Sequence, residues 1–489
     1  MGECAAAHEN HNVKVVIVSA LLAALTAVTA ISTASLNGFD PNQRAMLGFA
    51  TGASWALAVA AFLVLLRIGG RAAVVLVFAG SAALSIAALV GPPNLSNDSA
   101  RYAWDGIVQN NAISPYANVP AADALAQLRP AWLFPSPIVG VGGIRSCEGL
   151  GIVSSHTVPA GDLLCTAINR PQVPTIYPPV AEAFFAAVRA FVPTAAQYWP
   201  LQVAGLALSL ATTALLVVGM SLRKLDLRWA ALWGWSPFVA AEAVTNAHVD
   251  ALGTFIILAA TFAATPVLSA VLSRKRAVLV GVGIGLAAAA KFLPALAGPP
   301  LARRHTLIVG LSAGATFALT YVPYVLSTGW AVIGYLPGYL SEEGYSTGSR
   351  FVLLSPLLPG LSATIAAAGL ILAAVAVTWW RTDPTAPWHA QTILIGTALL
   401  IASPSYTWYA LVLIPFIALS RRWEWLTVPV ALMVRPLLAE PWEQLTLFLA
   451  AVVVCASMTV YRARMAGRGS KPIVSVDEPA DGLLRKEQE

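Results

Sequence analysis

Aspartates at 98 and 105 stand seven residues apart, with Arg101 and Tyr102 between them and Gln109 just beyond. They lie in Asn97–Tyr116, NDSARYAWDGIVQNNAISPY, which follows a third hydrophobic run and opens the longest polar interval of the chain. On a helix, positions 98, 101, 102, 105 and 109 would share a face, because side chains three and four apart are neighbours. An acid just past a membrane helix, Asp98 above all, is suited to take a proton from a polar acceptor while a lipid-borne donor stays in the bilayer. The bland alternative is a capping Asp followed by a surface ion pair, which leaves the rest of the cluster unexplained.

Further polar groups interrupt apolar runs. Asn246, His248 and Asp250 sit at a tip between two such runs and could line a cavity or hold an acceptor sugar; a plain polar turn is the alternative. As metal ligands they form an incomplete set, since a site needs three or four, and neither a metal nor a cofactor is expected. Lys291 lies inside an apolar run. A charge near the bilayer centre costs on the order of 3 kcal/mol, so such a residue is a functional candidate by default; snorkelling to an interface is the alternative. Glu342, Glu343 and Tyr345 supply acidic and aromatic groups of the sort that hold sugars, and Arg350 a cation suited to phosphate. Tyr177 precedes two prolines that would start a helix. Trp408 and Tyr409 read as aromatic-belt anchors.

The elements that must carry these residues are membrane helices. The 489 residues are 58% hydrophobic and 11% charged, against about 25% charged in soluble domains. Many apolar runs reach about 20 residues, enough to cross roughly 30 Å of hydrocarbon, and lipid then demands an all-α bundle. The net charge of +6 resides in short clusters between runs, as the positive-inside rule expects, and not in a nucleic-acid-binding patch. With half-helices included, about 12–14 membrane segments are expected over 13–461. A cytoplasmic tail of 1–12 precedes them and a disordered cytoplasmic tail of 462–489 follows. Ala277–Ala302 is too short for two crossings and reads as two half-helices broken near Lys291–Pro294. The basic clusters at 67–71, 223–228, 274–276, 303–304, 421–422 and 462–471 fall on one face. The first outer loop, 91–193, ending in an amphipathic interfacial helix, and a second, 327–360, fall on the other. Cys147 and Cys165 share the first loop and are disulfide candidates if it faces an oxidising compartment. Both termini are then cytoplasmic and the working site faces outward from a plasma membrane.

In order, D-x-x-R-Y-x-W-D-G-x-V-Q with I-x-P-Y (98–116), N-R-P and T-I-Y-P-P (169–179), N-x-H-x-D (246–250), K-F-x-P (291–294) and E-E-G-Y with R-F (342–351) resemble motifs of actinobacterial GT-C-type membrane glycosyltransferases. That group includes the polyprenyl-phosphate-mannose-dependent enzymes of phosphatidylinositol mannoside and lipomannan synthesis and their arabinosyl relatives. The resemblance spans about residues 14–460. It implies a GT-C-like fold, a polyprenyl-phosphate sugar donor, an outer-leaflet glycolipid or glycan acceptor, and inversion at the anomeric carbon. It also implies Asp98 as the catalytic acidic residue. Mannose is the expected sugar, with arabinose the alternative. Lys291, Arg350 and Arg101 are the candidate phosphate ligands. Tyr102, Asp105, Gln109, Tyr177, Asn246, His248, Asp250, Glu342, Glu343 and Tyr345 are the candidate acceptor or sugar ligands. In many relatives this loop follows the first span; here it follows the third. A transporter or flippase is the rival from another class, supported by broken helices and intramembrane charge, and a non-catalytic envelope scaffold is the third. The polar groups cluster at one face rather than the midplane, and no inverted repeat is visible.

Overall fold

A computed structural model describes residues 2–265, 267 and 272–469. Runs of Ala, Leu and Val with few interior prolines form its long helices. In chain order these are α1 (Gly2–Ser35), α2 (Arg44–Leu65), α3 (Gly70–Ala87), α4 (Asp98–Asn110), α5 (Pro179–Arg189), α6 (Trp199–Leu222) and α7 (Asp250–Ala264). They continue with α8 (Arg274–Ala290), α9 (Thr306–Thr328), α10 (Leu361–Arg381), α11 (Trp388–Ala402), α12 (Leu413–Ser420) and α13 (Pro441–Gly469). One apolar core joins α1, α2, α3, α6, α7, α8, α11, α12 and α13 through residues such as Leu25, Leu65, Val77, Leu216, Ile257, Ile284, Leu399, Phe416 and Phe448.

The chain is an all-α multi-pass membrane protein. Among the described residues seven helices are long and apolar enough to cross a bilayer, or eight with the bent pair Pro237–Thr245 and Asp250–Ala264 taken as one span. The expected 12–14 segments resolve into these and shorter pieces. The run expected to rise through Trp229–Ala243 is a series of short turns divided at Ser236-Pro237. The one expected over Trp425–Leu438 is a 3-10 turn and an eight-residue helix, Thr427–Val434, closed by Arg435-Pro436. Proline removes a backbone donor and clashes with the preceding turn, which shortens each. The break near Lys291 is present: α8 ends at Ala290, Lys291 is extended, and a 3-10 turn over Leu293–Ala297 leads to Pro299–Ala302. At the two ends, helix extends past the expected membrane segments: 1–12 is helical from Gly2 onward and α13 runs to Gly469, while 470–489 of the expected tail lies outside the described residues.

The long interval expected as the first outer loop, 91–193, is folded. α4 is buried along Ser99–Val108, and α5 packs across it. A Cβ at Gly106 would meet the Phe185 carbonyl oxygen at 2.5 Å, so glycine is what lets the two helices approach. Between them stand two short hairpins, β1 (Ile138–Val139) with β2 (Arg145–Ser146), and β3 (Val153–His156) with β4 (Leu163–Thr166). Cys147 and Cys165 form a disulfide with a Cα separation of 5.4 Å, linking the end of the first hairpin to the second.

Candidate active site

The site forms where three chain breaks meet. The first is the bend between Pro237–Thr245 and α7, 114° across a few residues. Residues Ala240–Thr245 form a π-type turn, and Ala247 adopts a positive φ of 53°; wide turns of this kind are frequent at functional sites. Asn246 holds the bend to the entry of α4. Its side-chain carbonyl accepts the backbone N–H groups of Asn94 and Leu95 at 3.2 and 3.0 Å, and its amide donates to the Ala241 carbonyl at 3.0 Å. These bonds engage both polar atoms of Asn246 in tying two segments together, so the residue expected among the sugar ligands is placed as a tether.

The tether brings Asp98, in the first turn of α4, to His248 in the bend. Asp98 Oδ2 lies 3.7 Å from His248 Nδ1, and Tyr102 Oη donates to the same oxygen at 3.5 Å. Tyr102 is buried, stacked on Phe185 at 4.3 Å and edge-on to Tyr177 at 4.9 Å. The opposite nitrogen of His248 lies 3.2 Å from Glu242 Oε2. Its ring stacks on Trp408 at 3.8 Å.

Lys291, the last ordinary helical position of α8 having passed, reaches the same region from the second break. Its Nζ is 3.3 Å from Asp250 Oδ2 and lies over the rings of Tyr177 and Tyr409 at 5.1 and 5.4 Å, a cation–π setting. Asp98 is within its electrostatic reach. The third break, near Tyr406–Tyr409, and the 327–360 segment complete the group. Tyr409 Oη shares a hydrogen bond with Tyr339 Oη at 2.7 Å. Arg350 is buried, ion-paired to Glu343 at 2.6 Å and set over the Tyr345 ring at 4.6 Å. Its Nε–H has no hydrogen-bond partner, an unmet buried donor where an anionic oxygen would fit.

The predicted residues therefore divide. Asp98, Tyr102, Tyr177, His248, Asp250 and Lys291 come together, and Glu343, Tyr345 and Arg350 adjoin them through Tyr409 and Tyr339. Arg101, Asp105 and Gln109 do not join them; they form a second cluster between α4, α5 and the loop. Arg101 Nε donates to both oxygens of Asp105 at 3.0 Å, and Nη1 to the Val173 carbonyl at 3.1 Å. Glu182 accepts from Thr175 at 2.6 Å and from Gln109 at 2.8 Å, and Gln109 accepts from Tyr324 at 2.7 Å. Burial pushes the carboxyl of Glu182 well above its ordinary range, and the charge of Asp105 pushes it further. Burial also raises Asp105, against the opposing pull of Arg101. Glu342 stands on the rim, paired to Arg170 at 2.8 Å. Among the described residues no three His, Cys, Asp or Glu side chains gather in a metal-holding set.

Sequence reading passed over Glu242, although an acid within an apolar run carries the same signal that singled out Lys291. Trp408 and Tyr409, read as belt anchors, line the site instead. Tyr324 and Tyr339 carried no local signal, because their partners lie more than 60 residues away.

Residues 175–404 match the model of glycosyltransferase family 87. The match supports a membrane glycosyltransferase of the GT-C kind, and hence a sugar donor and an acceptor. It covers Tyr177, the bend at 246–250, Lys291 and the second outer loop, whereas Asp98 lies upstream of it. No curated protein and no solved structure matches the chain.

Proposed function

We propose that the protein is an inverting glycosyltransferase that moves mannose from a polyprenyl phosphate to a glycolipid or glycan on the outer leaflet of the plasma membrane. The observation that carries this reading is Asp98 beside His248, with the Lys291–Asp250 pair in the same region and Arg350 adjoining through Tyr339 and Tyr409, in a chain whose residues 175–404 match a glycosyltransferase family model. A polyprenyl phosphate is already a competent leaving group, so no general acid is needed. Asp98 takes the proton of the acceptor hydroxyl as that oxygen attacks the anomeric carbon from the face opposite the phosphate. Arg350, through its open Nε–H, and Lys291 meet the charge that develops on the departing phosphate. Each already faces a carboxylate, which offsets its charge before the donor binds. The aromatic surfaces of Tyr102, Tyr177 and Tyr409 suit a sugar ring. Arg101, by contrast, directs Nε and Nη1 to Asp105 and loop carbonyls, with Nη2 left without a hydrogen-bond partner in the separate α4–α5 cluster. The disulfide supports an outward-facing loop, since such bonds persist in oxidising compartments, and both termini are then cytoplasmic.

Asp98→Asn keeps the shape of the side chain and removes its basicity. We expect transfer to fall by at least about 10²–10⁴-fold in purified protein given donor lipid, with unchanged membrane yield and melting temperature. Full activity in this variant would remove Asp98 from its role.

A further inference from the structure

Glu242 is used by none of the steps above, yet it is the second acid against His248. It lies in the apolar segment Pro237–Thr245 and is buried, as is the imidazole. Oε1 accepts the hydroxyl of Thr407. Oε2 faces His248 Nε2 at 3.2 Å, and neither that oxygen nor either ring nitrogen has an aligned hydrogen bond. Three buried polar atoms are thus in contact range but not yet engaged. Catalytic hydrogen bonds often tighten only when substrate binds. The groups around the ring are Asp98 from α4, Glu242 from the 237–245 segment, and Asp250 from α7 with Lys291 against it. Trp408 covers one ring face, which fixes the plane of the imidazole.

We propose that Glu242 is a positioning residue that sets His248 as a proton relay behind Asp98. The inference rests on the glycosyltransferase reading. A carboxylate facing Nε2 selects the tautomer with its proton there, leaving the Nδ1 lone pair toward Asp98; a carboxylate behind an imidazole does the same in hydrolase triads. As the acceptor oxygen bonds to the anomeric carbon, the bond from that carbon to the phosphate oxygen breaks and its electron pair leaves with the phosphate. The acceptor proton passes to Asp98 and then to Nδ1. The imidazolium so formed lies between Glu242 and the restored Asp98 carboxylate, and it releases its proton to the departing phosphate monoester or to water.

The test uses full-length protein in detergent with a short-chain polyprenyl-phosphate mannose and an alkyl mannoside. Glu242→Gln should lower kcat by on the order of 10²-fold and leave both KM values within about 2-fold. Glu242→Asp should recover part of the rate. If Glu242→Gln does not fold, Thr407→Val, which spares both charges, should shift kcat in the same direction by a smaller factor. An unchanged kcat, a loss confined to KM, or a Glu242→Asp variant no faster than Glu242→Gln would overturn the relay. Asp98→Asn in the same assay separates the two ideas: if it is inactive while Glu242→Gln is normal, only the relay fails, and if it is active, the parent reading fails.

Discussion

At the scale of single residues, Lys291 and Asp250 show how the site can afford charge in an apolar setting. A buried pair is weak evidence of stability, because desolvation opposes the attraction, but removing one partner leaves an uncompensated charge. Lys291→Ala should therefore destabilise the protein by about 3–5 kcal/mol, in addition to weakening use of the donor. Replacing both residues, Lys291→Met with Asp250→Leu, should return the melting temperature close to the wild-type value while leaving transfer impaired. A double variant that regained activity along with stability would make the pair purely structural. Thermal melts and donor-dependent rates on the same preparations distinguish these outcomes.

At the scale of elements, α4 and α5 act together, with the carboxyl network of Asp105 and Glu182 as their joint. Because the pKa of Glu182 is raised in the fold, its contribution to stability is fully present below the ordinary carboxyl value of about 4.3. It is lost as pH rises through the folded-state value. Asp105 is raised as well and works in the same direction. Melting temperature should therefore fall from weakly acidic to alkaline pH. Glu182→Gln, which keeps one acceptor oxygen for Thr175 or Gln109 and carries no titrating proton, should flatten that slope; an undiminished slope would place the titration elsewhere. This network also refines the helical-face argument. Positions 98, 101, 102, 105 and 109 share a face of α4, but Asp98 and Tyr102 near its start meet His248, whereas Asp105 and Gln109 lie further along it against α5 and α9, with Arg101 paired to Asp105.

Across the whole molecule the two ends are chemically distinct. Arg228 donates to the Leu66 carbonyl and pairs with Asp226, and Arg462 reaches Glu424 and the Arg421 carbonyl, so several basic clusters that are far apart in sequence meet. The acids, tyrosines and cations of the candidate site gather through other contacts. Composition predicts the sidedness, because bilayers impose it directly on the placement of Lys and Arg. A cysteine at Ser341, exposed on the second outer loop, should react with an impermeant thiol reagent added from outside to intact cells. Labelling only after the cytoplasmic side is opened would invert the topology. The all-α class and the break at Lys291 were legible, since lipid and buried charge leave strong local marks. The count of spans was not, because Pro237, Pro429 and Pro436 cut apolar runs into pieces that hydropathy alone joins. Nor was the division between Arg101 and Lys291, since both are cations near motifs and only their partners, set by tertiary contacts, tell them apart.

The Asn246 tether has a practical corollary. Because one amide clasps the entry of α4 to the bend that bears His248, the acid and the imidazole are held in fixed register and move as one block. Efforts to retune which sugar or acceptor is taken would do best to leave that block alone and vary the neighbouring loop that carries Glu343, Tyr345 and Arg350.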